Sequence, residues 1–395
     1  MRRMFQETNP GLARRFDFEN PFIFEHYSES ELQQILDLKL KKQGLNATPE
    51  AKMVASEIFS RARVRPNFGN GGEVENVMNQ AKLRYQARMS KLPPAQRPDE
   101  ILFLPEDFDP EFARGTTATL NCRKLFEDMI GCDEIVQKLE GYQRIAQNAK
   151  RTGCPIHELI PTNFLFKRPP GTGKTMVARK MGKVYYDMGF LATNKVIECS
   201  SSDLISVWSN ETGATCQKLF EKSLGHVLFI DEAYRLSEGG GRDALNEIVD
   251  MLTKTKYFGK LIVILAGYDD DMNRLLAVNP GLSSRFADEM IFRGMTPPHC
   301  VDLLAREIES KRVGAQVLRD THSQSYSQLC GMLAELSGLP LWGNARDIMA
   351  LAKTMVGNVY NVEQVSPSGP VLTADQALGA VWRLLTERRS RMGGQ

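Results

Sequence analysis

Residues 163–175 read NFLFKRPPGTGKT, a short apolar run followed by a glycine-containing loop and then by Lys-Thr. The end of this stretch follows the phosphate-binding pattern G-x-x-x-x-G-K-[ST], in which backbone N–H groups at the start of a helix hold phosphates. Arg168 replaces the first glycine of the pattern. The stretch therefore predicts a strand, a phosphate loop and a helix, and it leaves open whether Arg168 weakens or abolishes nucleotide use.

The surrounding sequence alternates between short apolar runs and helical patterns. Short runs rich in Val, Ile, Leu and Phe occupy 163–166, 195–199, 226–231 and 260–268, and helical patterns at 174–188, 212–223 and 242–254 separate them. Buried strands that alternate with helices are typical of a parallel sheet covered on both faces. We therefore expect an α/β fold.

A second motif, VLFIDEAYRL at 227–236, ends a buried strand with two carboxylates. Asp231 is expected to hold Mg²⁺ through water, together with the Thr175 hydroxyl, and Glu232 to orient an attacking water. Lys174 is expected to reach the β- and γ-phosphates of ATP. With this motif downstream of the loop, the pair predicts an ATPase with ATP and Mg²⁺ as cofactors. We assign nucleotide binding in the loop to Pro170, Gly171, Thr172, Gly173, Lys174, Thr175 and Met176.

Six motifs carry a resemblance to a known family. They are PPGTGKT, SSDLISVWSNETG, VLFIDEAYRL, ILAGYDDDM, NPGLSSRF and GNARDI, within roughly 121–390. In this order they resemble the AAA+ ATPases, and within them the CbbX-like (CbxX/CfxQ) group, which includes the red-type Rubisco activases and the stage V sporulation protein K relatives. The resemblance implies a P-loop NTPase sheet sandwiched by helices and followed by an α-helical lid.

The resemblance also implies roles for residues outside the loop. Arg285 matches the arginine finger that reaches a neighbouring subunit's ATP, and Arg346 matches the sensor 2 arginine of the lid. Tyr268 lies where many relatives carry the polar sensor 1 residue, and Ile130-Gly131 resembles the pair beside the adenine. For either arginine alone, the alternative is a solvated surface charge.

Trp208 matches the aromatic residue of the first pore loop, which grips a threaded polypeptide. Its neighbours are polar, which favours an exposed loop over the alternative of a tryptophan buried in the core. Asn210 replaces a glycine of the family in this loop and could stiffen it.

A long-range repeat suggests two modules. NPGLARRF at 9–16 returns as NPGLSSRF at 279–286, and GN at 69–70 returns at 343–344. The first copy keeps the finger arginine as Arg15 but has Gly72 where the second has Arg346. We expect the end and helical lid of a truncated first module at 1–113, a linker at 114–120, the ATPase core at 121–293 and a lid at 294–391. A fragment of a longer tandem protein is favoured over a gene that lost its front half.

The helices predicted in the lids follow from apolar periodicity. Leu32, Ile35 and Leu36 form one stripe, and Ser28 with Glu31 predicts a capping box that opens the first helix. Segments near 48–63, 71–89, 323–337, 344–359 and 373–389 continue this pattern.

Composition limits the partners. The chain of 395 residues is 42% hydrophobic and 25% charged, with a net charge of +2. This near balance disfavours nucleic acid or a membrane as partner, and the single cysteines indicate a reduced intracellular protein, cytoplasmic or nuclear. The prediction is a Mg²⁺-dependent AAA+ motor that forms a homo-oligomeric ring, by analogy a hexamer, and remodels a protein substrate. The alternatives are a nucleotide-binding scaffold with little hydrolysis because of Arg168, and, less favoured, a DNA-loading or helicase motor.

Overall fold

The computed structural model describes residues 25–98, 100–114, 122–167, 171–205, 209–340, 342–361 and 369–392. The chain divides into two compact units. The described part of unit 1 covers 25–63 and 67–110, and unit 2 covers Val64–Pro66 and the described residues from Glu111 onwards. Among the described residues, none of the helices combines the length and the hydropathy needed to cross a bilayer.

Unit 1 is a small helical domain. Its elements are α1 (Glu29–Lys42), β1 (Asn46–Ala47), α2 (Pro49–Arg63), α3 (Gly71–Ser90), β2 (Leu102–Phe103) and α4 (Pro105–Phe108). The predicted capping box is confirmed, because the Ser28 side chain accepts from the Glu31 N–H and Glu31 accepts from the Ser28 N–H. The apolar stripes of α1, α2 and α3 meet in one core that includes Leu32, Leu36 and Phe59.

Unit 2 contains a five-stranded sheet. Its strands are β3 (Asn163–Lys167), β4 (Val196–Ser200), β5 (Val227–Asp231), β6 (Ile262–Gly267) and β7 (Asp288–Ile291), in the order β4-β5-β6-β3-β7. All neighbouring strands are parallel. The carboxyl ends of β3, β5 and β6 therefore meet at one edge of the sheet, which is where ligands bind in sheets of this kind.

Helices cover both faces of the sheet, as the continuous apolar strands require. They are α5 (Asp133–Thr152), α6 (Ile156–Leu159), α7 (Lys174–Asp187), α8 (Ser209–Ser223), α9 (Gly241–Thr253), α10 (Asp269–Val278) and α11 (Pro280–Arg285). One core packs α5 and α7 against one face, and the other packs α8, α9 and α10 against the opposite face.

A helical lid follows β7. It consists of α12 (Pro297–Ser310), α13 (Gln316–Arg319), α14 (Gln324–Ser337), α15 (Ala345–Tyr360) and α16 (Ala374–Met392), around a core of its own. The predicted fold class is confirmed. The sequence analysis missed β7, because its sequence DEMI offers one buried residue instead of an apolar run.

Candidate nucleotide-binding site

The phosphate loop ends in glycines with left-handed backbone. Gly171 has φ +71° and Gly173, which precedes α7, has φ +78°. This region suits glycine because other L-residues pay a steric cost there. The loop delivers the chain into a helix of 14 residues whose first residue is Lys174. Free N–H groups at such a helix start bind anions.

Lys174 and Asp231 meet at the carboxyl edge of the sheet. The Lys174 Nζ lies 3.1 Å from Asp231 Oδ1 and 5.6 Å from the centre of the Tyr268 ring. The Lys174 side chain is 13% exposed, whereas that of Asp231 is 41% exposed. The sequence-predicted residues of β5, β6 and the loop are thus brought together around one buried ammonium group.

The carboxylate of Glu232 has a cationic neighbour that sequence analysis did not single out. Arg235 Nη2 lies 3.0 Å from Glu232 Oε2, at the i, i+3 spacing. The backbone of Glu232 is left-handed, with φ +52°, and its carbonyl accepts a hydrogen bond from the Ser201 hydroxyl at 3.0 Å. Because left-handed backbone is uncommon for a residue with a Cβ, it shows that the strand end turns sharply and fixes where this carboxylate emerges.

The lid approaches the phosphate loop closely. The carbonyl oxygen of Gly343 occupies the place that a Cβ at position 171 would take, and the Cβ of Arg346 lies 3.3 Å from that same place. Arg346 is in the first turn of α15, and its side chain is exposed. The predicted sensor 2 arginine is therefore beside Gly171.

The loop that contains Ile130-Gly131 is in contact with the lid. A Cβ at Gly131, whose φ is +74°, would lie 3.4 Å from His299 Nδ1 on α12. Two turns further along α12, Arg306 Nη1 donates to the Glu127 carbonyl at 3.1 Å. The adjacent Met129 reaches the phosphate loop, because its Cε would be 3.3 Å from a Cβ at Gly173. The residues predicted for the adenine thus lie between the phosphate loop and the lid.

Arg285 ends α11. Its Nη1 donates to the Gly281 carbonyl at 2.9 Å and to the Ser284 hydroxyl at 3.1 Å. Its Nε is buried and, within the described residues, has no hydrogen-bond partner. Among the described residues, no hydrogen bond or ion pair joins the Arg285 side chain to Lys174 or Asp231.

Charged groups also lie at the carboxyl end of β3. Lys167, the last residue of β3, donates to Glu289 Oε1 at 2.6 Å. Burial raises the pKa of the Asp269 carboxyl at the start of α10, and the nearby Lys167 partly offsets this rise. This end of β3 therefore places a nearly buried cation beside two carboxylates.

The donor set around Thr175 and Asp231 fits Mg²⁺. Both side chains offer oxygen and neither is fully buried, and Mg²⁺ is commonly held by one or two protein oxygens, waters and substrate phosphates. Within the described ranges there is no group of three or more His, Cys, Asp or Glu residues that could hold a metal without a substrate.

Several predicted residues lie outside the described part of the chain. These are Arg15, Arg168, Pro170 and Trp208, together with the side chain of Asn210. Thr172 and Met176 are described, and Met176 is 51% exposed. Met129, His299 and Arg235 were missed by sequence analysis. The i, i+3 spacing of Glu232 and Arg235 was a usable signal for Arg235, whereas the other two are recognisable only from tertiary contacts.

Comparisons with known proteins match two parts of the chain to known domain families. Residues 164–293 match the ATPase family associated with various cellular activities (AAA), and residues 28–118 match the AAA lid domain. The chain is 36% identical to stage V sporulation protein K of Bacillus subtilis over 188 residues, which are 46% of this chain and 58% of that protein.

Two mycobacterial proteins are also similar. The ESX-1 secretion system protein EccA1 of Mycolicibacterium smegmatis is 33% identical over 183 residues, which are 44% of this chain and 32% of that protein. The ESX-3 secretion system protein EccA3 of the same species is 29% identical over 341 residues, which are 80% of this chain and 54% of that protein. In each case the aligned region spans less than two thirds of the relative. The two domain matches and the similarity to stage V sporulation protein K place this chain among the AAA+ ATPases, in the group that is similar to stage V sporulation protein K.

Proposed function

We propose that this chain binds ATP with Mg²⁺ between its α/β domain and its second lid, hydrolyses it, and works as a ring that remodels a protein substrate. The observation that carries the proposal is the meeting of Lys174 and Asp231 beside Glu232, at the edge of the sheet that the phosphate loop also reaches. Arg346 lies on the lid, beside Gly171 of the same loop.

In the proposed binding step, the β- and γ-phosphates take the place of Asp231 as partners of Lys174. The helix start of α7 supplies N–H donors to the same phosphates. When bound, Mg²⁺ neutralises charge on the β- and γ-phosphate oxygens; Thr175 and Asp231 would hold it. Release of Asp231 from Lys174 frees its carboxylate for that task.

In the proposed hydrolytic step, Glu232 orients a water whose oxygen attacks the γ-phosphorus while the bond to the β–γ bridging oxygen breaks. The water gives up a proton to the carboxylate, and ADP and inorganic phosphate leave. Glu232 must first part from Arg235, and this costs little because both side chains are about half exposed.

The position of Arg285 supports the proposed ring. A guanidinium supplied to a neighbour's γ-phosphate stabilises the charge that develops in the transition state. Its bonds to Gly281 and Ser284 hold it at the end of α11, away from the chain's own Lys174 cluster. AAA proteins usually form oligomeric rings, and we propose a homo-oligomer, with a hexamer as the family analogue and Trp208 in its pore.

Steady-state ATP hydrolysis with Mg²⁺ tests the proposal. The chain should turn over ATP, and Glu232→Gln should reduce the rate by about 100-fold or more while it preserves ATP binding. If the unchanged chain is inactive but Arg168→Gly is active, the scaffold alternative replaces the motor. If neither hydrolyses ATP and neither binds it, the nucleotide site itself is refuted.

Arg168 is the reason to include the second variant. It replaces the first glycine of the phosphate-loop pattern, whereas Gly171 to Thr175 keep the rest of the pattern. Because the residues expected nearest the β- and γ-phosphates are intact, we propose that Arg168 slows nucleotide use without abolishing it.

A further inference from the structure

The contact between Gly343 and Gly171 is held in place by a side chain of the lid. Asp347 Oδ2 accepts a hydrogen bond from the Gly343 N–H at 2.9 Å, four residues back in the chain. A Cβ at Gly343 would lie only 2.9 Å from Asp347 Oδ1, so the two residues are packed closely. Asp347 thus fixes the short loop whose carbonyl abuts the phosphate loop.

Asp347 is itself held from the C-terminal helix. Arg388 Nη2, on α16, lies 2.8 Å from the same Asp347 Oδ2. The side chains of Arg388 and Asp347 are 23% and 15% exposed, so this ion pair is largely shielded from water. Charge-assisted hydrogen bonds are short and strong, and shielding strengthens them further.

These contacts form a continuous path. It runs from Arg388 on α16 through Asp347 to the Gly343 backbone, and from the Gly343 carbonyl to Gly171 of the phosphate loop. Arg346 lies between Gly343 and Asp347 in sequence, and its N–H donates to the Gly343 carbonyl at 3.0 Å. Whatever fixes the loop also fixes the start of the Arg346 side chain.

We propose that Arg388 and Asp347 are positioning residues for nucleotide binding, through which helix α16 sets the affinity of the site for ATP. This inference rests on the proposed function. Both residues act by holding Gly343 and Arg346 against Gly171. Loss of the pair loosens the lid side of the site and leaves Lys174, Asp231 and Glu232 in place.

The lid offers a matched control on the same helix. Arg389, the residue after Arg388, forms an ion pair with Glu335 of α14, and within the described residues no hydrogen bond or ion pair joins it to the 342–347 loop. Arg389→Ala removes one arginine and one ion pair between α16 and the rest of the lid, as Arg388→Ala does. The two variants therefore differ in whether the lost ion pair belongs to the path from α16 to Gly171.

The test measures binding of a fluorescent ATP analogue with Mg²⁺ to the full chain and to its Arg388→Ala, Asp347→Asn, Arg388→Lys and Arg389→Ala variants. Arg388→Ala and Asp347→Asn should each raise Kd about 5- to 10-fold. Arg388→Lys should recover part of the loss, and Arg389→Ala should stay within about twofold of the unchanged chain. In steady-state hydrolysis, KM should rise more than kcat falls.

Two results would overturn the inference. One is a Kd for Arg388→Ala and Asp347→Asn within about twofold of the unchanged chain. The other is an equal loss in Arg389→Ala, which would show that lid stability in general sets the affinity. Thermal unfolding identifies any variant that has not folded. If Arg388→Ala has not folded, the Kd of Arg388→Lys decides whether the inference stands.

Amide hydrogen exchange without nucleotide separates this inference from the proposed function. Arg388→Ala should speed exchange at 342–347 and 171–176, whereas Arg389→Ala should not. If the unchanged chain binds no ATP, the proposed function fails, and exchange still decides whether the path from α16 to Gly171 exists. Unchanged exchange at both segments would refute it.

Discussion

The two lids share a backbone device that is rare elsewhere. Asn70 in unit 1 has φ 48° and ψ −123°, and Asn344 in the second lid has φ 47° and ψ −124°. Each Asn side chain accepts a hydrogen bond from a backbone N–H that lies just before the lid's first helix, at 3.1 Å from Tyr27 and 3.0 Å from Met295. The sequence repeat GN is therefore also a structural repeat.

The two lids differ at positions where, in the second lid, the residue lies close to the candidate nucleotide site. The third residue of the first helix is Glu31 in α1, where it completes a capping box, but His299 in α12, where it lies against Gly131. The first turn after the asparagine carries Gly72 in α3 and Arg346 in α15. At these two positions the first lid has Glu31, which stabilises its own helix, and Gly72, which has no side chain. The second lid has His299 and Arg346 there, and both lie close to the candidate site.

The last helices of the two lids also differ in their length and in the ion pairs they form. The first lid ends with the four-residue α4, whose Asp107 is paired with Arg88 of α3. The second ends with the 19-residue α16, whose Arg388 is paired with Asp347. The helical core and the asparagine contact are common to both lids, whereas the positions of His299 and Arg346 in the second lid carry Glu31 and Gly72 in the first.

Gly171→Ala should give the largest effect, with ATP affinity reduced at least about 100-fold. Alanine at φ +71° costs about 1–2 kcal/mol, and its Cβ would displace the Gly343 carbonyl. A glycine change outside the site, Gly72→Ala in the first lid, serves as the control because a Cβ there meets nothing within 4 Å. Titration with a fluorescent ATP analogue should show full affinity for Gly72→Ala. Equal affinities for the two variants would contradict the assignment of Gly171.

Exchanging the lid residues tests the comparison directly. Arg346→Gly gives the second lid the residue of the first and should lower kcat/KM for ATP about 10- to 100-fold, because charge-assisted bonds to phosphate contribute about 1.5–3 kcal/mol. Gly72→Arg, the reverse exchange, should leave kcat/KM unchanged. A gain in Gly72→Arg would indicate that unit 1 also takes part in nucleotide chemistry.

The asparagine contact should matter in both lids but more in the second. Asn344 is 2% exposed, so Asn344→Ala leaves the Met295 N–H without an acceptor in a buried place and should cost about 2–3 kcal/mol. Asn70 is half-buried, and Asn70→Ala should cost about 1 kcal/mol because water can replace the side chain. Hydrogen exchange in α12 and α1 measures each loss separately. A larger loss in α1 than in α12 would be the contrary result.

Sequence reasoning located the parts of this molecule that depend on local pattern. The strand before Arg168 and the apolar stripe of α1 follow from residue spacing, and so does the capping box of Ser28. The strand β7 was not predicted because two of its four residues are acidic and it has no apolar run. The pairing of Asp347 with Arg388 joins residues 41 positions apart, and no local pattern specifies which of several arginines in α16 folds back on that carboxylate.

The smallest expected difference concerns the caps of α1 and α12. Ser28→Ala should destabilise α1 by about 1 kcal/mol, and Thr296→Ala should destabilise α12 by about 0.5 kcal/mol, as measured by exchange in the first turn of each helix. The Thr296 side chain accepts one bond, from the His299 N–H at 3.4 Å, whereas Ser28 and Glu31 bond reciprocally.

Acid should separate the two caps further. The hydrogen bonds from Ser28 lower the pKa of the Glu31 carboxyl below its ordinary value of 4.5. A depressed folded-state pKa stabilises the fold above the unfolded value and loses that contribution as pH falls through the folded pKa. Exchange in the first turn of α1 should therefore become faster relative to that of α12 as pH falls below about 4.5, once intrinsic rates are corrected, and Glu31→Gln should abolish the difference. An equal response in α12 would mean that the cap of the second lid also depends on a carboxylate, which a histidine at the third position cannot provide.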